Sequence, residues 1–564
     1  LLAAAWAELL QLPPERLGSQ DNFFALGGHS LLVIRLLTRL QREGLRADVQ
    51  TVFAAPTLGA LAEALDRAAA DTPCDIGEQL ALGSGVPPEC RRILPEMLPL
   101  TGLDEAGIGR LVAQVEGGIA NLQDAYPLAP LQQGILFHRL MQQGHDPYIL
   151  PVWLSLQGCD RLEIFLRALQ ATIDRHEVLR TAIHEVDGGH ALQVVQRRVS
   201  LQVEDFELEA GVEIEVQMRA RMEAPQWMDL RRPPLLRVET ARDPASGDWH
   251  VLLRLHHLIT DHMGLEIVQA ELVTQMAGRG AELAPPIPFK PFVARALASA
   301  ARPELPAFFK ERLGDVVEPT APFGVLDVHG DGHQLGVLVR RVDAEAAARW
   351  RASARRQRLS PAALFHAAWA LVVAACSGRE DVVFGTVMSG RLQGGSGVEQ
   401  APGLLMNILP LRVKAAQGSV LELVHRVDAS LRELLPYEQA PLTLVQRCSG
   451  LPAGTPLFSA MLNYRHSART ARGGDADLTA AGLRLCAVRE RTNYPFAASI
   501  DDEASGFVME LQVPAGIAAE PIADALHAAL DAIADGLEAE QSPPLRALSV
   551  LAAPERQRLL QALR

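Results

Sequence analysis

The chain has 564 residues, 48% hydrophobic and 21% charged, with a formal net charge of −14. That length exceeds what one hydrophobic core organises, and roughly 100–200 residues per domain predicts about three packed units. The acidic balance, without a dense Lys/Arg stripe to neutralise phosphates, argues against a nucleic-acid partner, and no apolar run reaches the roughly 20 residues of a membrane span.

In chain order, residues 2–12, 31–43 and 58–69 carry apolar side chains at helical spacing and predict a small all-α bundle over 1–70. The opening Leu1-Leu2-Ala3-Ala4-Ala5-Trp6 lacks the basic start of a secretory signal, and reads as the inside of a helix cut from something longer. Thr-Pro, Gly-Ser-Gly and Pro-Pro punctuation after Asp71 predicts a linker, assigned to 71–120, with at most short structure. Beyond it, strands at 249–258, 339–342 and 381–388 mix with helices at 160–176, 263–277 and 361–376. This mixture predicts a two-lobed α/β unit, 121–302 and 303–545, breaking near 300–305, and 546–564 reads as a linker entering a polar helix. The cysteines Cys74, Cys90, Cys159, Cys376, Cys448 and Cys486 have neither metal-ligand spacing nor a small-domain disulfide framework. Reduced thiols in a cytoplasmic protein are expected.

The first chemical motif is Asp21-Asn22-Phe23-Phe24-Ala25-Leu26-Gly27-Gly28-His29-Ser30-Leu31-Leu32. Two glycines leave the approach to Ser30 uncrowded, at the predicted start of a helix. Serine is also a common helix cap, so the Gly-Gly-Ser triplet alone carries little. The whole string resembles the phosphopantetheine attachment sequence of peptidyl carrier domains. The resemblance implies a four-helix carrier bundle with 4'-phosphopantetheine covalently on Ser30.

The second motif is Leu253-Arg254-Leu255-His256-His257-Leu258-Ile259-Thr260-Asp261-His262. Strand alternation puts His257 on the apolar face with Val251, Leu253 and Leu255, and His256 on the other with Arg254. An interior position favours the neutral imidazole that a base requires. Asp261, past the strand end, is placed to anchor the turn by accepting hydrogen bonds or pairing with an Arg. Two other readings remain: a structural histidine pair, and a metal site, against which stands the inability of adjacent strand histidines to ligate one ion.

This motif resembles the HHxxxDG sequence of condensation domains of nonribosomal peptide synthetases. Residues 125–134, 175–181, 383–386, 403–412, 463–467 and 493–496 resemble further signatures of that family in order. The resemblance implies a chloramphenicol-acetyltransferase-like fold and peptide-bond formation in secondary metabolism, such as antibiotic biosynthesis. In this scheme Ser30 delivers the upstream donor thioester, and a downstream carrier brings the acceptor amine. His257, His256 and Asp261 are the implied catalytic residues, with His257 as base or amine-positioning group and no metal. Implied partners are upstream and downstream adenylation domains, the downstream carrier and a phosphopantetheinyl transferase.

Phe137-His138-Arg139-Leu140-Met141-Gln142-Gln143-Gly144-His145-Asp146 resembles the extra histidine motif of dual epimerisation and condensation domains. Two departures stand out: Arg139 occupies the second histidine's place, and His145 interrupts Gly-Asp. Asp261-His262 in place of the Asp-Gly of HHxxxDG, by contrast, resembles that dual group or its relatives that accept a D-configured donor. Epimerisation needs a base and an acid on opposite faces of the α-carbon, and an arginine supplies neither. Condensation alone is therefore the leading reading, dual activity the second. An inactive docking platform for a tailoring enzyme is the third, and acyl transfer to a hydroxyl also stays open. His138, Arg139, His262, Asn407, Asn463 and Asn493 are the candidate epimerisation or tunnel residues.

Overall fold

A computed structural model describes residues 1–10, 12–23, 26, 28, 30–43, 45, 47, 51–52, 55–68, 85–142, 144–158, 160–186, 190–327, 335–391, 398–466, 478–503, 506–551, 557 and 561. The N-terminal part is helical as expected. Helices Leu2–Leu10, Ser30–Arg42 and Leu58–Ala68 enclose Trp6, Phe23, Val33, Leu36, Leu40, Leu61 and Leu65. Val33, Leu36 and Leu40 recur at the spacing of one helix face, which is why that stripe turns inward.

Fourteen strands lie within the described residues: β1 Leu122–Pro127, β2 Ile149–Leu156, β3 Thr181–Val186, β4 His190–Gln196, β5 Val203–Asp205, β6 Leu236–Arg242, β7 Trp249–His256, β8 Leu335–Arg341, β9 Asp381–Met388, β10 Asn407–Lys414, β11 Ala460–His466, β12 Leu483–Val488, β13 Phe496–Glu503 and β14 Gly506–Pro514. They form a three-stranded sheet, β1-β4-β3, a five-stranded sheet, β12-β2-β7-β6-β5, and a six-stranded sheet, β10-β9-β11-β13-β14-β8. The first sheet and four strands of the second come from the N-terminal half of the large unit, and the third sheet comes from the C-terminal half. Helices Lys290–Ala300 and Leu305–Leu313 flank the predicted break between them.

The core helix of the C-terminal half is Pro361–Ser377. Ser360 caps it by accepting from the Ala363 N–H, and Gly378, in the left-handed conformation, ends it. It is apolar all round, and eleven consecutive residues from Ala363 to Val373 are buried, as a helix covered on every side requires.

Two expectations need correction. Residues 85–120 are not a free linker: Val86, Ile93, Leu98, Ile108, Leu111 and Val115 share a core with Leu122, Ala125, Leu192 and Val194 of β1 and β4. Loop-like Pro and Gly punctuation concealed this apolar set; residues 71–84 of that expectation lie outside the described residues. Nor do the two halves divide cleanly at 302, because β12 leaves the C-terminal half to pair antiparallel with β2. Its register, Val488 opposite Val152, which in turn faces Leu253 of β7, brings the segment after β12 to the sheet end where β7 finishes.

Candidate active site

β7 ends at His256, one residue earlier than the alternation argument needs, and His257–Ile259 form a short 3-10 turn. His257 therefore leaves the strand instead of continuing its apolar face. Its backbone N–H donates to the Tyr148 carbonyl at 2.8 Å, and its ring is 91% buried, with a side-chain exposure of 9%. Nδ1 lies 3.3 Å from the Thr260 carbonyl oxygen. A carbonyl only accepts, so neutral His257 carries its proton on Nδ1 and its lone pair on Nε2.

His256 faces a closed network. Its Nδ1 accepts from the Leu258 N–H at 3.1 Å, and its Nε2 meets Asp146 Oδ2 at 3.0 Å. Both nitrogens are used and the ring is fully buried, so His256 ties the turn to Asp146 and to the Leu258 N–H. Asp146 also accepts from Arg139 Nε at 2.6 Å and from the Tyr148 N–H at 3.1 Å. Arg139 donates further to the Met228 carbonyl and lies 3.8 Å above the Trp227 ring. Burial opposes the Asp146 charge, but the His256 hydrogen bond and the Arg139 guanidinium hold its carboxyl at about 2. Burial keeps His256 below the usual imidazole range. His138 Nδ1 sits 2.9 Å from the Tyr148 hydroxyl, and Gln142 Nε2 approaches His138 Nε2 at 3.1 Å.

Asp261 performs both anchoring roles expected of it. It caps helix His262–Met276 by accepting from the Gly264 N–H at 2.7 Å, and it pairs with Arg391 at 2.8 Å and accepts from the Leu405 N–H at 3.2 Å. Arg391 in turn donates to the carbonyls of Val398 and Ala401 at 2.9 and 2.8 Å, so Asp261 ties the histidine turn to the C-terminal half. A side chain at Gly264 would come within 2.6 Å of Thr260 Oγ1 and 3.1 Å of the Gly403 nitrogen, which explains glycine where the two halves meet. His262 begins the helix with Nε2 3.5 Å from Glu266 Oε1.

On its open side His257 faces a carboxylate that sequence reasoning missed. Glu490, two residues beyond β12, places Oε1 3.9 Å from His257 Nε2. Its other oxygen accepts from Arg465 Nη1 at 2.7 Å, and Arg465 also holds Asp501 through Nε at 2.7 Å and Nη2 at 3.1 Å. Gln512 Nε2 fixes the Glu490 carbonyl at 3.0 Å. Burial would raise the Glu490 carboxyl, but Arg465, His257 and His262 bring it down to about 2. The available signal was proximity to Asn493-Tyr494-Pro495-Phe496, and nothing in local periodicity distinguishes Glu490 from a surface glutamate.

The asparagines separate. Asn407 is buried, and its Nδ2 donates to the carbonyls of Glu438 and Ala440 at 2.9 and 2.8 Å. Asn463 is buried in β11 opposite Ser499 of β13, and Asn493 is partly buried in the loop that carries Glu490. Far along the chain, Ser30 begins helix Ser30–Arg42 after a tight turn in which the Gly28 N–H donates to the Phe23 carbonyl at 2.8 Å. A side chain at Gly28 would strike the Phe23 ring at 2.2 Å, so only glycine allows that approach. Phe24, Ala25, Gly27 and His29 of the motif lie outside the described residues. Among the described residues no three His, Cys, Asp or Glu side chains converge as metal ligands.

Comparison with known proteins gives the family. The sequence pattern of the family described as "Condensation domain" matches residues 122–558, and that of "Phosphopantetheine attachment site" matches residues 1–65. The chain is 39% identical over 562 residues to malpibaldin synthetase of Mortierella alpina, covering 99% of this chain and 10% of that protein. It is 40% identical over 564 residues to malpinin synthetase of the same organism, covering 99% and 7%. The chain thus spans a tenth or less of the length of these relatives. Among solved structures, the first condensation domain of the calcium-dependent antibiotic synthetase superposes with a TM-score of 0.60 at 17% identity, covering 76% of this chain and 99% of that one, a likeness of fold. With 437 residues of this chain inside one family pattern, the conclusion is direct: it belongs to the condensation-domain family of nonribosomal peptide synthetases and carries a phosphopantetheine attachment domain at its N-terminal end.

Proposed function

We propose that the chain forms a peptide bond, moving an acyl group carried at Ser30 onto the amine of an aminoacyl group delivered by a separate, downstream carrier. The observation that carries this reading is the orientation of His257. Its Nδ1 faces the Thr260 carbonyl, which leaves the Nε2 lone pair directed into the space before Glu490. As the new C–N bond forms and the thioester C–S bond breaks, Nε2 takes up the proton that the attacking amine loses and returns it to the departing sulfur, work that contributes roughly 10²–10⁴-fold as general base catalysis. Positioning of two tethered reactants supplies the rest. His256 and Asp261 act by fixing the turn.

The attachment group fits Ser30. The turn through Gly28 delivers residue 30 as the first of a helix, where unpaired backbone N–H groups favour a phosphate ester. When bound, the arm supplies a thiol that carries the donor acyl group as a thioester, a carbonyl already reactive towards amines. The reading calls for a phosphopantetheinyl transferase to install the arm and for adenylation domains to load both carriers. It keeps 1–70 as the carrier unit and 121–302 and 303–545 as lobes, with 85–120 joined to the first lobe.

Condensation without epimerisation is the form proposed. Arg139, where the second histidine of the dual motif is expected, is committed to Asp146, Met228 and Trp227, and a guanidinium neither takes nor returns a proton at neutral pH. The test loads the holo chain at Ser30 with an L-configured donor and adds an acceptor-loaded downstream carrier. Intact-protein mass spectrometry then follows the acyl group, with His257→Ala beside wild type. Transfer that depends on His257 and gives an all-L product is expected. A D centre restores the dual activity, and an acyl group that stays on Ser30 with either donor epimer overturns the reading in favour of a docking platform.

A further inference from the structure

We propose that Glu490 and His257 together form a receiving site for the α-ammonium of the acceptor, so that the chain selects an amine over a hydroxyl nucleophile. The inference rests on the peptide-bond reading and deepens it, by giving the acceptor a chemical class at a defined pair of side chains.

Two independent observations converge. The first is an unfilled geometry. His257 is nine-tenths buried, yet its Nε2 makes no hydrogen bond among the described residues, and the atom it faces, Glu490 Oε1, stands at 3.9 Å, beyond hydrogen-bond reach. A nitrogen hydrogen-bonded at ~2.9 Å to both atoms spans that 3.9 Å with an angle of about 85° at nitrogen, within reach of two N–H bonds of one ammonium. A hydroxyl has a single proton and satisfies one of the two acceptors, leaving the other unpaired.

The second is charge. Arg465 is the cation held against Glu490, and it is shared with Asp501 through two further hydrogen bonds. Two carboxylates share one guanidinium, and the other groups that face Glu490, the His257 and His262 rings, are cationic only when protonated. Burial pushes the nearby Glu510 carboxyl up, and His262 on the adjoining helix already has Glu266 at 3.5 Å. An incoming ammonium supplies the missing positive charge. Glu490 itself is held rigid for this: Arg465 fixes its second oxygen and Gln512 its carbonyl, so the free oxygen is presented without a side-chain rearrangement.

The experiment measures binding and turnover separately on the holo 564-residue chain. The probes are glycyl-pantetheine amide, a stable acceptor analogue with an amide in place of the thioester, and its hydroxyacetyl counterpart, titrated calorimetrically at pH 7. Wild type is expected to bind the glycyl probe at least about tenfold more tightly than the hydroxyacetyl probe, the value of one hydrogen bond to a charged group. Glu490→Gln, nearly isosteric, is expected to erase that preference while leaving hydroxyacetyl binding unchanged, and Glu490→Asp to retain part of it. Equal affinities in wild type, or a Glu490→Gln loss shared by both probes, overturn the receiving site. If the preference is present but no acyl group is ever transferred, the peptide-bond reading falls and the site stands. Transfer without the preference gives the reverse.

Discussion

The two sides of the turn after β7 carry the same residue type to opposite ends. His256 points into a filled space where both ring nitrogens, the Asp146 oxygens and the Arg139 fork are all paired and buried. His257, one residue on, points across the boundary between the halves to Glu490 at 3.9 Å, with Nε2 unfilled. Burial of polar groups is tolerable only with partners, so a closed network fixes geometry while an open one remains available to a substrate. Truncation separates the two histidines most strongly. His257→Ala is expected to reduce single-turnover acyl transfer by roughly 10²–10⁴-fold with little change in melting temperature. If His257→Ala melts early and transfers normally, the two sides have been assigned the wrong way round.

Asp146→Ala is the reciprocal case. It leaves the Arg139 guanidinium buried without its carboxylate and removes the His256 partner, and breaking a buried pair from one side costs about 3–5 kcal/mol. Chemical denaturation reads this directly, and a loss under 1 kcal/mol would mean that water reaches the network.

The same network also makes stability depend on pH. The Asp146 carboxyl is depressed to about 2 in the folded chain, so its stabilisation is fully present above the unfolded value near 4 and is lost as pH falls towards 2. His256 acts in a higher window. Its folded pKa lies below the usual 6.5, the unfolded chain binds more protons, and stability falls as pH drops below about 6.5. Denaturation midpoints should therefore decline in two steps on acidification. Asp146→Asn is expected to shrink the lower step, Glu490, held down to about 2 as well, supplying part of what remains, and a lower step left undiminished places its source away from Asp146.

What was legible in the sequence follows from the range of the interactions. The helical bundle, the mixed α/β unit and strand β9 were readable because their signals are local: periodic apolar residues, a Pro at a helix start, a run of Val and Phe. The Asp261 anchor was readable too, since a carboxylate just before a helix has a natural local partner in the Gly264 N–H. Glu490 was not, because its place depends on β12 crossing to pair with β2, a contact between residues more than 300 apart in sequence. The end of β7 failed for a smaller reason. Strand alternation predicts sides only while the strand lasts, and the turn beginning at His257 rotates that side chain out of the pattern. Residues 85–120 failed because Gly and Pro report turns but not whether the chain between them is packed.

The smallest effect is the most discriminating for Arg139. Arg139→Lys keeps the charge beside Asp146 but gives up the fork that reaches both the Asp146 carboxylate and the Met228 carbonyl, together with the planar stack on Trp227. A loss of about 1–2 kcal/mol in stability is expected, in the range of one buried hydrogen bond left unmade. Acyl transfer at saturating acceptor should stay within about twofold of wild type, because the guanidinium reaches His257 only indirectly, through Asp146 and then the Tyr148 backbone or His256. The product's stereochemistry should also be unchanged. A lysine at this position has a titratable amine where arginine has none, so a D centre appearing only in Arg139→Lys would show that residue 139 reaches the donor α-carbon, and that the closed side of the turn is less closed than its hydrogen bonds make it.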